Sequence, residues 1–275
     1  MADQLPQFTT LTTAREPGDV LVVTLNRPDA RNAVNRAMHD ELLQLLVALR
    51  SLEGVGAVVL TGAGKVFCAG GDVEMIDGFA AGGWSAATRL AEESLTLVRD
   101  FLTVRPPVIA AVNGHAMGLG ATLALLCDIV VMADDAMIAD THINVGIMPG
   151  DGGTALWPAL VGPARAKELL MTGDSVKAAD AERIGLVNHV VHRAEVVSTA
   201  MTIATRLASG PRQAIAWTKQ AVNAAIIRDC SLQMPLSLAL ESQTLMQPDL
   251  QEGLAAFRER RAPNWPSVNA GAEVR

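Results

Sequence analysis

Residues 108–133 read VIAAVNGHAMGLGATLALLCDIVVMA, and this stretch decides the fold class. An aliphatic run (108–112) gives way to a glycine turn (113–120), an apolar run of helical character (121–127) and a second aliphatic run (128–133). Short aliphatic runs bounded by turn residues suit strands buried on both faces, and a helix between two of them makes a βα unit. The same strand signal recurs upstream at VLVVTL (20–25) and GAVVLTG (56–62). Helical segments separate these runs. Asn35 to Arg50 carries Met38, Leu42, Leu45, Leu46 and Leu49 on one stripe, and Ser85 to Val104 does the same with Leu90, Leu95, Val98, Phe101 and Leu102. The reading is an α/β fold.

Beyond residue 150 the strand signal thins to LVNHVV (186–191) while the helical signal lengthens. Pro211 suits the first turn of a helix reaching about Ile227, and Asp249 with Glu252 has the spacing of a capping arrangement for a segment ending near Arg260. The organisation expected is an α/β core over residues 1–208 and a helical extension over 209–275. The extension is too short to build a core alone, so it must pack on the body or on another copy of the chain.

Composition narrows the function. The chain has 275 residues, with Lys+Arg 22 against Asp+Glu 29 and a net charge of -7, and no block of like charge marks a nucleic-acid binder or an acidic tail. Mean hydropathy is positive at +0.27, yet the apolar runs fall well short of the roughly 18 residues that a spanning helix needs. The start, MADQLPQFTT, lacks the basic and apolar parts of a secretory signal. Cys68, Cys127 and Cys230 are odd in number and far apart, which favours neither a disulfide framework nor a zinc site. The expectation is a cytoplasmic protein with free thiols, no metal, and neither a nucleic-acid nor a membrane partner.

Two glycine-rich turns follow strand candidates: TGAGKVFCAGGD (61–72) and NGHAMGLG (113–120). Without a Cβ in the way, backbone N–H groups there can approach a ligand closely, and the second turn opens into a helix whose free N–H groups carry partial positive charge. Neither turn has the P-loop or dinucleotide-binding spacing. Two converging N–H groups would suit developing negative charge on a carbonyl oxygen.

These turns, with PPVIAAVNGHAMGLGATLALLCDIVVMADDAMIA, NVGIMPGDGGTALWPALVG and GDSVKAADAERIGLVNHVV, resemble the enoyl-CoA hydratase/isomerase family, the crotonase superfamily. LNRPDARNAVNRAM and EGLAAFRERRAPNW extend the likeness over nearly the whole chain, in order. The resemblance implies a crotonase-like spiral of ββα units with a C-terminal helical trimerisation region, assembled as a trimer or a dimer of trimers. It implies an acyl-CoA substrate, with coenzyme A present only as part of that substrate and no other cofactor. It also places an oxyanion hole at the N–H groups of Gly71 and Leu119, makes Asp72 an anchor of its turn and sets Ala69 against CoA, whose phosphates need cations that Arg27, Arg31, Arg258, Arg260 and Arg261 can supply.

The chain departs from the family at the reacting groups. Hydratases of the family use two glutamates; the corresponding positions here are Thr122 and His142, with Asp140 and Asp151 nearby in sequence. A threonine holds a water but takes no proton at neutral pH, whereas an imidazole does. Two readings stand for each remaining group. His142 is the acid/base or it fills the glutamate's space; Asp151 orients the imidazole or it caps the following helix. The catalytic reading makes His142, Asp151 and Thr122 the site of an enolate-forming acyl-CoA enzyme. Hydrolysis, decarboxylation, isomerisation or simple acyl-CoA binding are the alternatives to hydration. His115 is read as a pocket wall, His39, His189 and His192 as solvated or packed, Cys68 as a small packed residue, and IDGFAAGGWS (76–85) as a mobile lining of the acyl pocket.

Overall fold

The computed structural model describes residues 5–270. Residues 1–4, which begin the stretch read for an export signal, and residues 271–275, which end the helical extension, lie outside it. A six-stranded sheet has the order β1 (Leu11–Glu16), β2 (Val20–Leu25), β3 (Ala57–Gly62), β4 (Val108–Val112), β6 (Ile129–Ala133), β9 (His189–Val191). Only the β1–β2 pair is antiparallel. A smaller sheet joins β5 (Ala116–Met117), β7 (Met137–Ala139) and β8 (Val176–Lys177). Every residue of β3 and β4 is buried, which explains their unbroken aliphatic sequence.

The helices are α1 (Arg36–Leu49), α2 (Val73–Ala81), α3 (Gly83–Thr103), α4 (Leu119–Leu125), α5 (Gly153–Val161), α6 (Pro163–Thr172), α7 (Ala178–Arg183), α8 (Val196–Ala208), α9 (Arg212–Thr244), α10 (Pro248–Glu259) and α11 (Pro266–Ala270). α8 lies on β3 and β4 through Val196, Ala200, Ala204 and Ala208, whose small side chains let helix and sheet approach closely. Among the described residues no helix is long and apolar enough to cross a membrane.

Two expectations for the extension are corrected. α9 does not stop near Ile227 but continues through Pro235 to Thr244. An internal proline costs about 3 kcal/mol, but Cys230, Met234, Leu238 and Glu241 form a buried stripe that spans it. Nor does Asp249 cap α10: the N-cap is Gln247, Pro248 opens the helix, and Asp249 instead accepts from Ser267 N and Oγ.

Three polar clamps fix the parts that carry the site. Glu41 of α1 accepts five hydrogen bonds from Thr9, Thr10 and Leu11, at 2.6 to 3.1 Å. Lys219 of α9, itself buried, places Nζ 2.7 Å from Oδ2 of the half-buried Asp128, a pair that ties α9 to the sheet. Arg193 donates to the carbonyls of Lys65 and Asn113, one in each glycine turn, and pairs with Asp135. Outside these clamps, α9 leaves Trp217, Val222, Leu232 and Leu236 exposed.

Candidate active site

Because β3 and β4 are parallel neighbours, the turns that follow them emerge side by side. Cys68 and Ala116 form a bridge between them, with Cys68 N donating to His115 O (3.2 Å) and Met117 N to Cys68 O (3.0 Å). Gly70 has φ +102°, and a Cβ there would stand 2.9 Å from Met117 O, so only glycine lets the turns close up. Asp72 accepts from Glu74 N at the start of α2 and pairs with Arg27 at 2.8 Å, the anchoring role expected of it. Among the described residues, neither Gly71 N–H nor Leu119 N–H is spent on an acceptor.

Both residues line a cavity of about 370 Å³ together with His142, Asp151 and Glu241, walled by apolar side chains including Ile76, Phe79, Leu97 and Leu254. His142 opens a 3-10 turn after β7. Its Nδ1 lies 2.7 Å from Asp140 Oδ1 and its Nε2 lies 3.3 Å from Asp151 Oδ2. Thr122 Oγ1 donates to Asp151 Oδ1 at 3.1 Å. The structure thus brings His142, Asp151 and Thr122 into one chain of contacts. Asp151 does not cap α5, whose N-cap is Gly152 with no side-chain bond.

Burial works against the imidazolium, but the Asp151 and Asp140 carboxylates outweigh it and hold His142 well above its ordinary range. Burial likewise opposes charge on Asp151, yet His142 and the Thr122 hydroxyl keep it below the usual carboxylate range. The pair therefore rests as imidazolium and carboxylate. Asp140, His142 and Asp151 offer ligand atoms within 4.8 Å of one another, a donor set suited in kind to a metal ion. Each ring nitrogen already faces one carboxylate, however, so the geometry is an imidazole strung between two acids rather than ligands aimed at one point.

Three contributors escaped the sequence reading. Asp140, noted only as a neighbour, is the nearest partner of His142. Glu241, buried on α9, lines the cavity from the extension that was read as an oligomerisation region. His39 is packed rather than solvated, 2% exposed, but it also lines the cavity, and its Nδ1 has no hydrogen-bond partner among the described residues, with Glu93 Oε2 3.9 Å away. Its spacing to Leu42 and Leu46, three and seven residues on, was the available signal. Glu241 had none.

The expected CoA contacts divide. Ala69 and Arg31 line the cavity, and Arg31 also lines an adjoining cleft of about 740 Å³ with Arg258, Arg260 and Arg261. Arg261 is held by Glu252 and Glu259, and Arg27 faces Asp72 outside both linings. His115 is not a cavity wall; its Nδ1 accepts from Met137 N at 3.1 Å. Burial pushes the Cys68 thiol up to about 12, consistent with a packed residue. Segment 76–85 is helical, and it lends Ile76 and Phe79 to the cavity while Trp84 faces solvent.

The sequence model of the family described as enoyl-CoA hydratase/isomerase matches residues 15–268. A probable enoyl-CoA hydratase of Mycobacterium leprae is 36% identical over 250 residues, covering 89% of this chain and 93% of the relative. The crotonyl-CoA hydratase of Syntrophomonas wolfei is 35% identical over 247 residues, covering 90% and 94%. Among solved structures, an enoyl-CoA hydratase/isomerase from Mycobacterium paratuberculosis superposes with a TM-score of 0.86 at 33% identity, covering 91% of this chain and 99% of that one.

Proposed function

The chain belongs to the enoyl-CoA hydratase/isomerase family, and from that premise we propose that it stabilises an acyl-CoA thioester enolate at the Gly71 and Leu119 N–H groups and moves protons with the His142–Asp151 pair. The observation that carries this reading is the 3.3 Å approach of His142 Nε2 to Asp151, in the cavity lined by both turns. Unspent N–H groups in a site walled by apolar side chains stabilise an oxyanion far better than water does, because they need no reorganisation. Thr122 steadies Asp151, and Asp151 and Asp140 together hold the imidazole in one orientation.

Replacing paired glutamates by this pair changes what the site does well. Syn hydration needs one group to deprotonate water and another to protonate carbon, and a resting imidazolium is an acid rather than a base. Ordinary hydration of a short 2-enoyl-CoA is therefore slow, and the favoured step is protonation of an enolate. Arg31 and the cleft lined by Arg258 and Arg260 supply cationic groups for the CoA phosphates. The exposed apolar residues of α9 suit packing between copies in a trimer or dimer of trimers, in the cytoplasm. Purified protein assayed on crotonyl-CoA tests the mechanism: rapid hydration, undiminished in His142→Ala, sinks it.

A further inference from the structure

The part of the cavity walled by α1 and α3 carries two polar side chains in an aliphatic setting. On α3, Leu90, Ser94 and Leu97 recur at spacings of four and three and share the cavity wall, so the serine takes a place in an apolar stripe. On α1, His39 is 2% exposed and reaches the same cavity. The two helices pack together, and the 3.9 Å separation of His39 Nδ1 from Glu93 Oε2 sets the ring beside the residue that precedes Ser94. Neither polar group is spent on the protein. Thr96 and Ser242 donate to the carbonyl four residues back, as helical hydroxyls commonly do, but Ser94 makes no such bond among the described residues. Of the two ring nitrogens of His39 only Nδ1 is fully enclosed; Nε2, also without a hydrogen bond among the described residues, opens on the cavity.

The charged groups acting on this ring are Glu93, Arg36 and Asp40; His142 and Asp151 are not among them, so the ring stands away from the proton-transfer pair. Burial lowers His39 below its ordinary range, and at pH 7 it is a neutral imidazole with one N–H and one lone pair. Glu93 binds Arg36 through both oxygens, at 2.6 and 2.7 Å, and its charge favours an N–H on the facing Nδ1 over a lone pair there. Nε2 is then an acceptor, and Ser94 Oγ on the neighbouring helix both donates and accepts. A hydroxyl satisfies the two together, giving its proton to Nε2 and taking one from Ser94. A carbonyl satisfies Ser94 alone, and a methyl satisfies neither.

We propose that His39 and Ser94 bind a hydroxyl group carried on the acyl chain beyond its reacting carbons, making the site selective for hydroxylated acyl thioesters over plain hydrocarbon ones. Both residues are specificity-determining and take no part in proton transfer. The inference rests on the acyl-CoA reading given above.

Saturated thioesters, which have no double bond to hydrate, test it by calorimetry on the full chain: ω-hydroxyacyl-CoA compounds with chains of six to ten carbons, each against the alkyl thioester that has a methyl in place of the hydroxyl. At the chain length that brings the hydroxyl to the pair, wild type should bind the hydroxy compound about tenfold more tightly, the gain expected of two neutral hydrogen bonds. His39→Leu should abolish the preference, and Ser94→Ala should cut it to a few-fold, each with the parent's circular dichroism and its affinity for the alkyl thioester. His39→Gln, whose amide still meets a hydroxyl, should keep most of it. Should His39→Leu not fold, Ser94→Ala decides alone. Equal binding of both compounds by wild type at every length, or a preference undiminished in Ser94→Ala or in folded His39→Leu, overturns the role of the pair and leaves the acyl-CoA reading standing. If no compound of either series binds folded protein, the acyl-CoA reading falls and this inference with it.

Discussion

His142 Nε2 stands 3.3 Å from Asp151 Oδ2 while its Nδ1 stands 2.7 Å from Asp140, so the ring cannot gain or lose a proton without both acids responding. The folded-state pKa of His142 is raised, so its contribution to stability is fully present below the unfolded value near 6.5 and is lost as pH rises through the higher folded value. Asp151→Asn should move the ring's titration to lower pH in an NMR titration of its Cε1 proton. His142→Ala should lower turnover of whichever thioester proves active by about 10²–10⁴-fold.

Thr122 touches the same pair through a single neutral donor at 3.1 Å. Thr122→Val removes that bond without changing volume much. Turnover should fall only a few-fold, in line with a hydrogen bond worth roughly 0.5–1.5 kcal/mol, and the circular dichroism spectrum should not change. A loss as large as that of His142→Ala would make Thr122 a proton carrier in its own right.

Arg31 and Arg27 should part company when each is replaced by alanine. Arg31 faces the cavity and the cationic cleft, so its loss should raise KM about tenfold with kcat little changed, an effect that shrinks at high salt. Arg27 faces Asp72, so its loss should lower thermal stability by about 1–3 kcal/mol and leave KM nearly alone. Steady-state kinetics and melting curves on the two variants make the comparison.

Lys219, buried, and Asp128, half-buried, form a pair whose separation is punishing. Lys219→Met strands a carboxylate that burial already pushes above its ordinary pKa. The expected destabilisation in urea unfolding is about 3–5 kcal/mol, with the double variant Asp128→Asn/Lys219→Met recovering a large part of it.

Glu41 sets the acid limit of the N-terminal clamp. Burial opposes its charge, but the Thr9 and Thr10 donors win and bring it down to about 2. Its stabilisation is thus present above the unfolded carboxylate range and is lost as pH falls through about 2. Glu41→Gln should unfold at milder acid than does the parent chain, and its acid transition should be displaced when followed by circular dichroism.

The core strands and the first helices were legible because burial on both faces leaves an unmistakable aliphatic run, as in VIAAV (108–112). His142 and Asp151 were legible as candidates because both lie in one short segment between β7 and α5, but their pairing stayed open until the structure put them 3.3 Å apart. Asp140 was noted only as a neighbour, although two residues' separation suffices for hydrogen bonding when a 3-10 turn follows. Glu241 was invisible for a different reason. Ninety residues separate it from Asp151, and only the continuation of α9 past Pro235 carries it to the cavity. A helix read as ending near Ile227 hides everything downstream that its continuation delivers.

Arg193 gives the order in which the site is finished during synthesis. The turns it ties together precede it by 128 and 80 residues, so a ribosome that has emitted both turns has not yet made their clamp. Glu241 emerges later still. Nascent chains held at intermediate lengths therefore display both glycine turns with no finished centre, and chemistry begins only after the last third of the polypeptide has docked.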